Sequence, residues 1–407
     1  MPDTAQKTAS PLSPPTISFA ALAVMLAALA MLGPFSVDTY LPAFPNIERS
    51  LQASTLEVQQ TLTAYMFAFA VMVLWHGPLS DAFGRRNIIL ISLGIFAIAS
   101  IGCAVASDVK FLWFCRILQG LSSGAGTVIG RAIVRDTYDG ARATRLMSLT
   151  TMIFSIAPAI APMIGGWIIS VSDWRTIFYF LVVYCVFLWV FCYRYLPETL
   201  PPEQRIALHP SQIVGSLAEV FRNKLFYLKA GTIALNFSGF FLFVASAPVF
   251  VVKHLQLGQD QFGWLFVPAV SGMFLGSLVA NRLAGKLPIP QQVQIGFVLM
   301  IGAALFNCGF HYWNPPALPW SVLPLLLYTT GSSIVAPGVT LLVLDLFPHI
   351  RGTAASCQSF MLTMLAAIMA GVVSPLISHS VFLLALGQLS LVSLSLILWS
   401  MARHRRS

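Results

Sequence analysis

Twelve apolar stretches, most of them 20 residues or longer, recur along the chain with few charges inside them. Each can cross a hydrocarbon core of roughly 30 Å as a helix. The expected spans are 17–41, 59–79, 88–107, 111–132, 146–170, 174–195, 226–252, 261–281, 292–312, 320–343, 353–377 and 381–401. A strand barrel is excluded because the runs are continuous rather than alternating. Only 9% of the 407 residues are charged, whereas a soluble domain carries about a quarter. The reading is an all-α integral membrane protein.

Lys and Arg set the orientation. With the N-terminus cytoplasmic, only Arg49, Lys110, Arg175 and Lys253 fall in outer loops, and Arg116 falls inside a span. The reversed topology breaks the positive-inside rule, so both termini are expected in the cytoplasm. The net charge of +9 is then orientation signal and anionic-lipid contact, with no nucleic-acid patch. Residues 28–30, "ALA", formally resemble a signal-peptide cleavage site but lie mid-run, and a retained first span is expected. The six cysteines fall in or beside spans without paired-ligand spacing, so they read as small buried residues.

Residues 196–225 form the longest inner connection. Ile213, Val214, Leu217, Val220 and Phe221 share one face there, predicting a short helix on the inner membrane surface. The chain thus divides into a tail (1–16), a six-helix half (17–195), the linker (196–225), a second six-helix half (226–401) and a basic tail (402–407). An internal repeat supports this division. Asp136 precedes Arg142 by six residues after span 4, and Asp345 precedes Arg351 by six after span 10, an offset of about half the chain. Two six-span halves describe one large class of secondary transporter.

The short stretch "GPLSDAFGRR" (77–86) concentrates charge between two apolar runs. With Gly77, Asp81, Gly84, Arg85 and Arg86 it resembles the signature between spans 2 and 3 of the major facilitator superfamily. "RILQG" (116–120) resembles the span-4 motif of proton-coupled members. "APAIAPMIGGW" (157–167) resembles the span-5 antiporter motif, although the first part of that glycine pattern is degenerate. "DTYLPAFP" (38–45) and "FPHIRGTAAS" (347–356) are similar to the Bcr/CflA subfamily of drug:proton antiporters. The resemblance runs the whole length and implies the major facilitator fold, twelve transmembrane helices in two halves. It further implies that Asp81 and its neighbours, with Arg135 and Asp136, latch the inner face. Asp81 is expected to accept from a neighbouring helix N-terminus and to pair with nearby arginines.

Two ionisable residues stand out within the membrane. Charges there cost on the order of 3 kcal/mol at the centre and usually mark a pathway. Asp38 lies near the outer end of span 1, and Arg116 lies roughly 7–8 Å below the outer end of span 4. Burial and a nearby guanidinium act on a carboxyl in opposite senses, so small rearrangements decide whether it holds a proton. Asp38 is therefore the proposed proton or cation site, with Arg116 tuning its field; the bland alternative is a cap on span 1 beside Pro42. Some drug:proton antiporters carry a second acid two turns earlier, where this chain has Ala30, so one-proton exchange is the simpler expectation.

Four-residue glycine pairs in span 4 (Gly120/Gly124 and Gly126/Gly130) predict close helix contact. Pro158, Pro162, Gly165 and Gly166 are expected to bend span 5 toward its outer end. Tyr65, Gln119, Asn236, Phe240 and Phe241 are the substrate-cavity candidates, in a mostly apolar cavity suited to bulky lipophilic molecules.

The leading expectation is an inner-membrane exporter of drugs or similar small molecules, driven by protons, with no cofactor beyond the proton gradient. Its partners would be a small-molecule substrate, protons and lipid, with a monomer as the default. A metabolite exporter for an amino acid or siderophore-like compound is the alternative within transport. A multispan enzyme would need a catalytic cluster at one face, whereas the histidines (76, 209, 254, 311, 349, 379, 404) are scattered without metal-ligand spacing. No phosphate-binding glycine loop ends in Lys-Ser or Lys-Thr, which argues against ATP-driven pumping.

Overall fold

The computed structural model describes residues 17–404; the expected tail 1–16 and residues 405–407 lie outside them. Eleven helical stretches among the described residues are long and apolar enough to cross a membrane. The twelfth crossing, span 4, is two shorter helices, Val109–Ser123 and Ala125–Thr137, separated at Gly124. A Gly/Ser-rich run, "GLSSGAG", explains why that helix gives way there. The other spans of the first half are Phe19–Asp38 (1), Thr55–Phe83 (2), Arg85–Ala104 (3), Gly140–Phe154 with Ala157–Val171 (5) and Arg175–Tyr195 (6). The second half comprises Lys224–Ala245 (7), Gly263–Leu283 (8), Ile289–Trp313 (9), Leu323–Leu344 (10), Arg351–Ile368 continued to Ile377 (11) and Val381–His404 (12).

Both described chain ends and the linker lie at one end of the bundle, the linker face; the loop after span 1 marks the opposite, far face. Span 7 has 94% of its most apolar window buried, against 33–56% for the other candidate spans. It is therefore the most enclosed helix of the bundle, whereas its neighbours leave apolar surface for lipid, as membrane helices must.

The expected linker helix forms at Pro210–Arg222, and one edge of it packs on the second half. Leu217, Val220 and Phe221 pack with Phe226, Phe347 and Cys357 of the second half. Val214 is 54% exposed and outside that contact, because the second half covers only the Leu217–Val220–Phe221 edge of the apolar face. Span 5 breaks at mid-length, at Ser155–Ile156, rather than near its far end. Pro158 cannot donate to the Phe154 carbonyl, which frees the turn before it. Gly165 and Gly166 instead mark contacts: a Cβ on the first would strike the Thr39 carbonyl of span 1's end, and one on the second the Gln259 carbonyl of the second half. The span-4 glycines likewise permit close approach, Gly120 against the Tyr65 carbonyl and Gly126 against the Leu29 carbonyl.

The two faces differ. Four hydrogen bonds join the halves directly among the described residues, all at the far face. Gln59 donates to Ser374 Oγ (2.7 Å) and the Ala245 carbonyl (3.4 Å), Gln60 to the Gly371 carbonyl (2.8 Å), and Gln259 to Asn46 Oδ1 (3.0 Å). At the linker face a cavity of about 490 Å³ lies between spans 2 and 4, the linker and the start of span 11. The conformation is closed at the far face and open at the linker face.

Candidate functional site

Arg116 organises the interior of the first half. It is fully buried, reached by span 4 only because Gly120 lets that helix close on span 2. Its Nη1 donates to the Ser36 carbonyl (3.1 Å), Ser36 Oγ (3.0 Å) and Gln119 Oε1 (2.7 Å). The guanidinium carbon lies 4.7 Å from the Tyr40 ring centroid and 4.4 Å from that of Tyr65, so two aromatic faces replace the hydration it has lost. Tyr40 is fixed by a 2.7 Å hydrogen bond with Thr61, and Tyr65 donates to Ser123 Oγ at 2.8 Å.

Asp38 ends span 1, two residues beyond Ser36, and is 6% exposed. Its carboxylate makes no hydrogen bond or ion pair with the described residues, so it does not cap the helix. The cap position belongs to Thr39, whose hydroxyl donates to the Phe35 carbonyl at 2.5 Å. Asp38 and Arg116 are not ion-paired among the described residues. The site thus holds an unpaired buried carboxyl and a guanidinium whose Nη1 meets neutral oxygen atoms and whose faces meet two aromatic rings, while its Nε and Nη2 have no hydrogen-bond partner. Such a site changes charge when one proton arrives or leaves.

The five cavity candidates do not line the linker-face cavity. Gln119 spends its amide on Arg116 and on Ser100 Oγ (2.7 Å), holding the cation in place. Tyr65 is part of the same cage. On span 7, Asn236 is 1% exposed with neither amide atom hydrogen-bonded, while Phe240 and Phe241 are buried against Phe237. The structure therefore separates the five into a charged group in the first half and an apolar, amide-bearing group in the second.

The charged elbow is not a loop. Span 2 runs straight through Pro78 to Phe83, and the whole connection is Gly84, whose φ of 96° only glycine adopts without strain. Arg85 pairs with Asp81 across that turn, with Asp136 at 3.0 Å, and donates to Ser80 Oγ at 2.6 Å. Asp81 does not serve the helix N-terminus. That role falls to Glu198, which accepts from the Arg85 amide at 2.9 Å and ion-pairs with Arg205 at 3.7 Å. Thr199 adds a 3.1 Å bond to Asp136, and the Ile206 amide bonds the Asp81 carbonyl at 3.2 Å. Arg86 turns away, donating to the Tyr193 carbonyl (2.5 Å) beside its ring. Arg135 lines the cavity with Gly77, Asp81 and Arg85, without an ion pair among the described residues. Sequence reasoning missed Glu198, Thr199 and Arg205. Their only signal was an acid in "LPET" on a face otherwise rich in cations.

The sequence model of the Major Facilitator Superfamily matches residues 20–371. The chain is 32% identical over 362 residues, covering 88% of each protein, to an uncharacterized MFS-type transporter, YdgK, of Bacillus subtilis. It is 28% identical to a bicyclomycin resistance protein homolog of Haemophilus influenzae (86% of this chain, 87% of the relative). Multidrug resistance protein D of Escherichia coli is 27% identical, over 82% of this chain and 84% of the relative. Among solved structures, a bacterial homolog of the human lysosomal transporter Spinster, described as inward-facing and unoccupied, superposes with a TM-score of 0.65. It is 15% identical and covers 95% of this chain and 96% of its own. The chain is a multi-pass membrane transporter of small molecules rather than an enzyme, and it belongs to the Major Facilitator Superfamily.

Proposed function

We propose that this transporter is a drug:proton antiporter of the Bcr/CflA type, which works by alternating access in a bacterial inner membrane with both termini in the cytoplasm. Drugs or similar lipophilic molecules leave the cell as protons enter. The observation that carries the reading is Asp38: a buried carboxylate with no protein partner, beside a caged arginine at the closed far face. Protonation there changes the charge on span 1 where it meets Gly165 and, through Gly166, the second half. That coupling lets a proton bias opening of the far face. The names of the bicyclomycin-resistance and multidrug-resistance relatives support export of drugs. Asn236, with both amide atoms free beside Phe240 and Phe241, is the proposed polar contact in an otherwise apolar substrate site.

The test is proton flux in inside-out vesicles with an acidified lumen, recorded while a panel of drugs and metabolites is added. Compound-dependent alkalinisation, lost in Asp38→Asn, is the expected outcome. Substrate counterflow without any proton movement in the wild type would overturn antiport.

A further inference from the structure

Span 4 carries two arginines that nothing described so far employs. Arg131 and Arg135 are one turn apart, on the helix face that Val128 and Ala132 present to the linker-face cavity. Both are exposed, and neither makes an ion pair or a hydrogen bond among the described residues. The positive-inside rule accounts for cations in the linker and at the loop ends. It does not ask for one within a span. Arg131 precedes Thr137, the last residue of span 4, by almost two turns, roughly 9 Å at 1.5 Å per residue. A charge at such depth is costly unless it faces water or a partner, and it usually marks a pathway.

The charges around the cavity give that pathway a sign. Arg85, Arg135 and Arg351 line it against one acid among the described residues, Asp81. Arg85 is engaged with Asp81 and Asp136, and Arg351 with Asp345. Arg131 and Arg135 are the guanidiniums left uncommitted on this wall. His209 and His349, on the linker and the second half, add positive charge when protonated and never negative. A cationic molecule entering here finds no acid that is not already held by an arginine. An anionic one finds two guanidiniums whose planar forks match the two oxygen atoms of a carboxylate. The cavity, about 490 Å³, is large enough for a drug-sized molecule.

We propose that the transported molecules are amphiphilic organic anions, an apolar body bearing a carboxylate or similar group that Arg131 and Arg135 meet on entry from the linker face. The inference rests on the export reading above and narrows its substrate class. The arginines select the charged end, and the apolar, amide-bearing group around Asn236 receives the body. An electrical consequence follows. Exporting an anion moves one more charge per cycle than exporting its neutral analogue, whatever the number of protons exchanged. A membrane potential negative inside therefore drives the anion outward more strongly.

The experiment uses inside-out vesicles and matched probes: naphthalene and anthracene carboxylates, each beside its neutral primary amide. The readout is the ratio of KM values within a pair, measured by counterflow at equal pH, because a variant that only shifts the protein between conformations changes both alike. Expected in the wild type is a KM about tenfold lower for the carboxylate. Arg131→Gln and Arg135→Gln should each cut that preference about fivefold, whereas Arg131→Lys, which keeps the charge, should retain most of it. Charge moved per molecule should be one unit greater for the carboxylate than for the amide. Equal KM values in the wild type overturn the proposal, as do an unchanged ratio in both glutamine variants and failure to transport any carboxylate. Amide transport with proton flux but without carboxylate preference overturns it while leaving antiport standing. Carboxylate preference without proton flux upholds the anion site and removes antiport.

Discussion

The two halves share six spans each and a turn built on a positive-φ glycine, yet they use charge differently. In the first half, Gly84 turns the chain between spans 2 and 3, and around it Arg85, Asp81, Asp136, Glu198 and Arg205 interlock. In the second, Gly285 (φ 75°) turns the chain between spans 8 and 9, exposed, with Arg282 and Lys286 beside it and no ion pair among the described residues. The repeated Asp–Arg pairs diverge too. Asp136 abandons its repeat partner for Arg85, whereas Asp345 keeps Arg351 at 3.1 Å, both more than half exposed. Within the membrane, the first half buries Asp38 and Arg116, while the second half's carboxylates, Asp260 and Asp345, sit at helix ends and its interior carries Lys229 near the start of span 7, donating to the Leu342 carbonyl, besides neutral Asn236, Asn307 and Gln388. On the proposed reading, the proton site sits in the first half and the amide-bearing substrate contact in the second, so a change in charge at one acts on binding at the other through relative movement of the halves.

The comparison breaks most visibly at Arg116. Arg116→Ala leaves Ser36 and Gln119 without their donor in a dry interior, a loss of about 3 kcal/mol, or roughly a hundredfold in gradient-driven transport. Lysine at 116 is expected to fold but not to restore the rate, since it cannot lie flat between Tyr40 and Tyr65; vesicle transport beside a thermal-shift assay checks both variants.

Arg85→Ala comes next. It leaves Asp81 and Asp136 facing each other without a cation. A roughly tenfold shift from the linker-open toward the far-open population is expected, measured by spin-label distances across the linker face. Glu198→Gln should shift it in the same sense by less, because the amide cap of Arg85 survives in weaker form.

On the second half, Asn236→Leu should weaken substrate binding about fivefold and leave the number of protons moved per substrate unchanged, as read by paired substrate and proton fluxes. A change in that ratio would merge the two functions that the halves keep apart. Asp345→Asn is the smallest effect. An exposed pair is worth less than about 1 kcal/mol, so transport should stay within twofold of wild type; a tenfold loss would make the second half a latch equal to the first.

The spans were legible because crossing a membrane is a local demand: about 20 apolar residues in a row, wherever they pack. The twelve segments, the linker helix and the glycine contacts of span 4 follow from that demand and from side-chain size. Partnership across distant segments was not legible. The pairing of Asp81 with an arginine of its own elbow was expected, but nothing near it in the chain says that Glu198 caps span 3, and nothing near Asp38 says that it has no partner. Hydropathy, helix length and loop charge depend on neighbours in sequence, so the sequence by itself determined the spans, their division into halves and the family. Pairing, cage and cavity depend on which helix faces meet at 3–5 Å, and only the tertiary structure decided those.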